Sequence, residues 1–148
     1  MSERTERTDA AFALFKVGFN CGQSVLGAFC EKYGMDKDMA MKVSSGLGSG
    51  FRMGEICGAV SGAGLVIGLK YGCTKEDDAE AKNNCNKKTA EFMRLFKERN
   101  QSIVCRELLG IDMATKEGQA EAREKNVYKT VCAKKVINAV QILEELGY

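Results

Sequence analysis

Seven cysteines and no histidine bound the chemistry open to this 148-residue chain. The cysteines stand at 21, 30, 57, 73, 85, 105 and 132, and no two of them make a C-x-x-C pair. A thioredoxin-type motif, a zinc ribbon and a local ferredoxin spacing are therefore all missing. Without imidazole there is no Ser-His triad, no His-ligated haem and no His-carboxylate iron site. What remains is thiolate chemistry: attack on disulfides, or binding of soft metals and iron–sulfur clusters. An odd count leaves at least one thiol over in any all-disulfide scheme within a monomer. In a chain with no export signal, such cysteines read as metal ligands or redox thiols rather than structural disulfides.

Position separates the cysteines. Cys21 follows Asn20, a good N-cap; Cys57 stands at the start of a helix, and Cys105 falls in the first turn of another. Helix N-termini carry unpaired amides and about half a positive charge, which lowers a thiol pKa. Cys132 differs, lying mid-helix on the apolar stripe Tyr128, Cys132, Val136, Ala139 and Leu143. Local pattern alone makes it a buried structural cysteine. Cys30 shares a face with Leu26 and Cys85 begins the apolar stripe of a long helix, so both read as core. Cys73 sits in a turn.

Residues 46–72 hold nine of the sixteen glycines. Glycine inside a helix costs about 1 kcal/mol relative to alanine, so the concentration needs a reason. Gly58 and Gly62 share one face of the helix after Cys57, and Gly64 and Gly68 share another. A helix stripped of side chains in this way packs at backbone distance on two sides, which makes it the central one. The preceding loop glycines, Gly50 and Gly54 among them, allow positive φ and leave amides unshielded, as a backbone approaching a ligand requires. GLGSGF lacks the Lys-Ser/Thr of a P-loop and follows a helix rather than a strand. Arg52 and Glu55 flank the loop as solvated surface residues. The methionines have ordinary placements and give no copper site.

The elements that hold these residues all read as helical. Helices are expected over Asp9–Val17, Cys21–Tyr33 (stopped by Gly34), Asp36–Ser45, Ile56–Tyr71, from the TKED capping box at Thr74 to Asn100, over Ile103–Leu109 behind Ser102, and from Lys116 to Leu146 without a break. No proline interrupts them and no strand pattern is present. The expectation is an all-α, bundle-like single domain over 1–148, with six or seven helices and the glycine-rich helix starting near Cys57 at its centre.

Twenty-two basic and twenty acidic residues, interspersed, leave a net charge of +2 and no reason to expect nucleic acid as partner. MSERTERTDAAF has no apolar h-region, so it does not read as a signal peptide. The longest weakly polar run, 56–69, is shorter than the ~20 residues of a membrane span. The chain reads as cytoplasmic.

FNCGQSVLGAF, GSGFRMGEICGAVSGA, CRELLGID and the late CAKKVINAVQILEE resemble the C_GCAxxG_C_C family of redox-active proteins. The likeness runs from about residue 8 to 146, and its central motif is CGAVSG at Cys57–Gly62. It groups Cys21, Cys57, Cys105 and Cys132 and leaves Cys30, Cys73 and Cys85 outside. The domain is also similar to part of split-Soret cytochrome c, a dimeric protein with haems and an iron–sulfur cluster. This chain has no haem-attachment motif, so only the cluster half of that likeness transfers. The resemblance implies that the four cysteines converge on an iron–sulfur cluster, two-iron two-sulfur in the simplest case, with Gly54 and Gly58 in the backbone around it. It also implies an oxidoreductase or electron-transfer partner, a homodimer, and a cluster open to loss on aerobic purification. Two other readings stay open. One is a cofactor-free thiol/disulfide protein cycling a pair such as Cys57 and Cys105; the other is a helical interaction module with a structural Zn(Cys)4 site.

Overall fold

The computed structural model describes residues 4–148. The first three residues of the expected 1–148 domain, and with them the start of MSERTERTDAAF, lie outside the described residues. Eight α-helices follow in order: α1 Glu6–Lys16, α2 Cys21–Phe29, α3 Lys37–Val43, α4 Gly58–Tyr71, α5 Ala79–Asn100, α6 Cys105–Leu109, α7 Lys116–Glu124 and α8 Ala133–Glu145. The all-α expectation holds among the described residues, where a lone antiparallel bridge between Ile56 and Val104 is the only extended pairing. Among the described residues there are eight α-helices and one short 3-10 helix, rather than six or seven helices in all. No helix among the described residues is long and apolar enough to cross a membrane.

The added helix comes from the C-terminal third. Lys116–Leu146 is not continuous: α7 ends at Glu124, and Asn126 takes a left-handed φ of 54°. Asparagine tolerates that conformation better than most residues. The chain then re-enters through a wide π turn at Tyr128–Cys132, closed by the Ala133 N–H to the Tyr128 carbonyl, before α8 begins. A π turn adds one residue to the local repeat. It therefore offsets Tyr128 and Cys132 from Val136, Ala139 and Leu143, and the five do not form one uniform stripe. The last three are fully buried, whereas Tyr128 is exposed and Cys132 half-buried.

Other boundaries move for capping reasons. α1 starts before Asp9 because Thr5 and Thr8 cap each other reciprocally. α5 starts at Ala79, where the Asp78 side chain accepts the Ala81 N–H at 3.0 Å, so TKED belongs to the preceding turn. The Ser102 hydroxyl accepts the Val104 N–H at 2.9 Å, one step ahead of the helix it was expected to cap. After α2 the chain tightens into a 3-10 turn over Cys30–Tyr33, and Gly34 ends it at φ 82° as expected.

The core joins α2, α4, α5 and α8 around Phe29, Ile67, Phe92, Phe96 and Leu143, all inaccessible to solvent. Each contributes roughly 1.5–3 kcal/mol by leaving water. The contact that matters for the site is between α2 and α4. A Cβ placed on Gly62 would lie 2.7 Å from the Gly22 carbonyl oxygen and 2.9 Å from its Cα. One placed on Gly58 would lie 3.0 Å from the Leu47 carbonyl oxygen and 3.1 Å from Cys21 Cβ. Backbone thus meets backbone where the N-termini of α2 and α4 come together, and these ends carry Cys21 and Cys57.

The second glycine face is different. A Cβ on Gly64 or Gly68 would meet nothing within 4 Å, so close packing there is not the reason for those glycines. Alanine at Gly64 will therefore raise stability by about 0.5–1 kcal/mol through helix propensity alone. Chemical denaturation reads this directly; a loss of stability would mean that the open face is covered.

Candidate functional site

Cys21, Cys57, Cys105 and Cys132 line one pocket of about 290 Å³. Cys30, Cys73 and Cys85 do not. Cys30 is buried, its thiol directed at the Gly27 carbonyl at 3.6 Å. Cys73 is exposed in a turn, its thiol 3.0 Å from the Lys75 carbonyl oxygen, and Cys85 packs half-buried against the core. All seven are free thiols.

Each of the four is placed by a distinct local device. Cys21 opens α2 behind Asn20, whose side chain accepts the Gln23 N–H at 2.8 Å while Gln23 Oε1 accepts the Asn20 N–H at 3.0 Å. Cys57 is the N-cap residue of α4, and Cys105 is the first residue of α6. Two backbone bonds tie these last together: Cys57 N–H to the Ile103 carbonyl at 2.8 Å, and Cys105 N–H to the Glu55 carbonyl at 2.6 Å. Cys132 closes the π turn that precedes α8.

The loop before Cys57 is conformationally expensive. Ser49, Gly50, Phe51 and Arg52 are consecutive left-handed residues with φ of 54°, 62°, 57° and 65°, and Gly54 follows at 70°. Left-handed geometry costs roughly 1–2 kcal/mol for each non-glycine residue. The turn is held by the Glu55 N–H to the Gly50 carbonyl at 3.0 Å and by Arg106, which donates to the Gly54 carbonyl at 3.2 Å. Arg106 also pairs with Glu55 at 2.7 Å, so Glu55 is an ion-pair partner rather than a merely solvated charge. A Cβ on Gly50 would lie 2.5 Å from the Glu55 nitrogen and 2.8 Å from Cys105 Cβ, which makes glycine obligatory there. Gly50, Arg52 and Gly58 line the pocket; Gly54 sits outside the lining, facing Arg106.

Burial reverses the electrostatic expectation for the helix-start thiols. Cys57 is pushed above the ordinary thiol value by burial, against the Ala59 and Val60 amides at the start of α4 that pull it down. Cys105 is pushed up to about 12 by burial and by the neighbouring Cys57 and Cys132. Cys21 is raised by its hydrogen bond with Cys132, then by burial and by the other thiols. Of the four, only Cys132, at the end of the π turn, is lowered, first of all by its interaction with the Cys21 thiol. Desolvation outweighs half a helix charge when several thiols share one pocket.

Lys135 was not expected at the site. It lines the pocket one helical turn beyond Cys132, with its Nζ donating to Asn100 Oδ1 at 2.8 Å. Asn100 is itself buried and donates to the Phe96 carbonyl at 3.0 Å. Partial burial lowers the Lys135 pKa, while Cys57 and Cys132 pull it back up. Tyr128, Cys132 and Lys135 recur at intervals of four and three, and that spacing was the available signal. Among the described residues, no three or more Cys, Asp or Glu side chains are arranged to hold a single metal ion.

Two outcomes follow for the metal-free protein. Iodoacetamide will label Cys132 ahead of Cys105 near pH 8, and Cys21→Ala will slow Cys132 by removing the interaction that lowers it; peptide mass mapping reads both. Stability will also fall as pH rises. A buried thiol with a raised pKa contributes its full stability below the unfolded value of about 9. That contribution is lost between there and the folded value, about 12 for Cys105. Denaturation midpoints that stay flat above pH 9 would contradict the burial argument.

A family model described as "Putative redox-active protein (C_GCAxxG_C_C)" matches residues 19–146, most of the chain. No curated protein and no solved structure matches it.

Proposed function

The chain belongs to the C_GCAxxG_C_C family of redox-active proteins, and from that premise we propose that its four-cysteine pocket holds an iron–sulfur cluster, two-iron two-sulfur in the simplest case. One observation carries the reading. Four cysteines separated by 36, 48 and 27 residues line a single pocket, while the other three stay out of it.

The donor set suits the group: four thiols satisfy such a cluster without imidazole. Cys21, Cys57, Cys105 and Cys132 would hold it, giving up their protons as they bind. When bound, the cluster supplies one-electron redox chemistry. The chain's own contribution is positioning and charge. Lys135, held by Asn100, places an ammonium beside thiolates, and the Ala59 and Val60 amides face Cys57. Phe15, Leu108 and Leu109 make much of the wall apolar, which limits water at the sulfurs.

Cys21 and Cys132 line the same pocket and act on each other electrostatically, one thiol raised and the other lowered, and this favours one second reading, thiol/disulfide exchange at that pair rather than at Cys57 and Cys105. There, two thiols lose two electrons and two protons to a disulfide substrate, leaving a Cys21–Cys132 disulfide and two reduced substrate thiols.

Protein purified without oxygen from an iron-replete host tests both. The cluster requires brown protein with iron and acid-labile sulfide near stoichiometric levels. Colourless anaerobic protein that also resists reconstitution rules it out. A reductant-reversible Cys21–Cys132 disulfide in that colourless protein would then establish the second reading. Air is avoided because cluster thiolates oxidise once iron leaves.

A further inference from the structure

We propose that the mouth of the four-cysteine pocket is a docking surface for an acidic electron-carrier protein, an inference that rests on the redox reading above.

The mouth is apolar where water meets it. Phe19 and Tyr128 line the pocket yet remain 37% and 36% exposed. Phe51 and Met53, on either side of Arg52, are 54% and 60% exposed. The left-handed run Ser49–Arg52 is what brings Ser49, Gly50 and Arg52 to the pocket wall, with Phe51 exposed between them, at a cost in backbone strain. Strain of this kind persists where the surrounding structure enforces it, and it clusters at functional sites. Exposed aromatic and methionine side chains with arginine are the composition of an interface core.

Charge selects the occupant. Arg52 and Lys135 line the pocket, and among the described residues no carboxylate shares that lining; Arg123 joins Arg52 in acting electrostatically on the Tyr128 hydroxyl. Neither arginine is ion-paired with a carboxylate among the described residues, and Lys129 is exposed beside Tyr128. Glu55, on the far side of the turn, is already engaged by Arg106. A second copy placed face to face would set like charges opposite each other, which opposes a two-fold dimer here. A carrier with carboxylates around its own redox centre meets both the guanidinium groups and the apolar patch. Small, weak, charge-steered contacts are characteristic of such encounters.

The probe is an acidic plant-type ferredoxin, titrated against the isotope-labelled protein by NMR, with and without its cluster. The expected result is shift changes centred on Phe19, Phe51, Met53 and Tyr128. Affinity should fall at least about tenfold between about 20 and 200 mM salt, as screening of exposed charges requires. Arg123→Glu combined with Lys129→Glu should weaken binding by a similar factor, and Met53→Ala several-fold, with unchanged circular dichroism. Basic cytochrome c should not bind. Absence of ferredoxin binding, salt-independent binding, or perturbation elsewhere on the surface overturns the proposal. Self-association through this face, seen by sedimentation and abolished by Met53→Ala, or adsorption to anionic vesicles in place of ferredoxin, overturns it equally. Protein that is colourless when purified without oxygen and resists reconstitution, yet still binds ferredoxin, separates the two claims, because docking then stands while the cofactor reading fails.

Discussion

Serine at Cys21, Cys57, Cys105 or Cys132 will each remove or shift the visible spectrum of anaerobically purified protein, and serine at Cys30, Cys73 or Cys85 will leave it unchanged. The four share one pocket. A cluster whose thiolate–metal bonds are about 2.3 Å long cannot exchange one of them for a cysteine outside that pocket without a rearranged backbone. Serine offers a harder, far less acidic donor, so iron content should fall and any retained cluster should absorb differently. The three controls behave differently from one another. Cys30 is fully buried, and a hydroxyl there costs stability, on the order of 1–3 kcal/mol, without touching the chromophore. Cys73 is exposed and should be silent in both measurements. Cys132 decides the assignment. If Cys132→Ser keeps the full spectrum while Cys30→Ser or Cys85→Ser loses it, the four-thiol set is wrong.

Alanine at Gly62 will lower the melting temperature by roughly 2–12 °C, and valine there will largely prevent folding. A Cβ at that position falls 2.7 Å from the Gly22 carbonyl oxygen and 2.9 Å from its Cα, both backbone atoms that a rotamer change cannot move. Relief requires α2 and α4 to separate. Overpacking of this kind costs typically 1–3 kcal/mol and sometimes more. In a chain of this length each kcal/mol corresponds to about 2–4 °C. The same separation would part Cys21 from Cys57, so cluster incorporation should fall with stability. The alanine at Gly64, on the open face of the same helix, gives the internal contrast: a similar propensity gain with no clash. Equal effects at the two positions would show that α4 does not pack on α2 as described.

Much of the local structure was legible because its causes are local. Asn20, Asp36 and Gly34 cap or stop helices by bonds within a few residues, and each acts where the sequence places it. The absence of proline and of strand patterning made the chain helical. Residue types alone removed imidazole chemistry, and family resemblance, rather than spacing, singled out Cys21, Cys57, Cys105 and Cys132.

Other features depended on residues far apart in the chain. Cys132 reads as an inert stripe residue because a 3.6-residue repeat assumes an unbroken helix. Asn126 and the π turn break that repeat and bring the thiol to the pocket. The four left-handed residues from Ser49 to Arg52 include three that rarely adopt such geometry. Part of their support comes from the Glu55 carbonyl and Arg106 across the bridge to α6, contacts that local preference does not contain. The thiol pKa values inverted for the same reason. A helix start is visible in sequence, but desolvation depends on what the whole fold packs around it, and in a pocket shared by four thiols desolvation wins. Sequence determined the helices, the thiols available and the turns that glycine permits. Only the tertiary structure decided which thiols meet, which one is poised to ionise, and that Lys135 stands beside them.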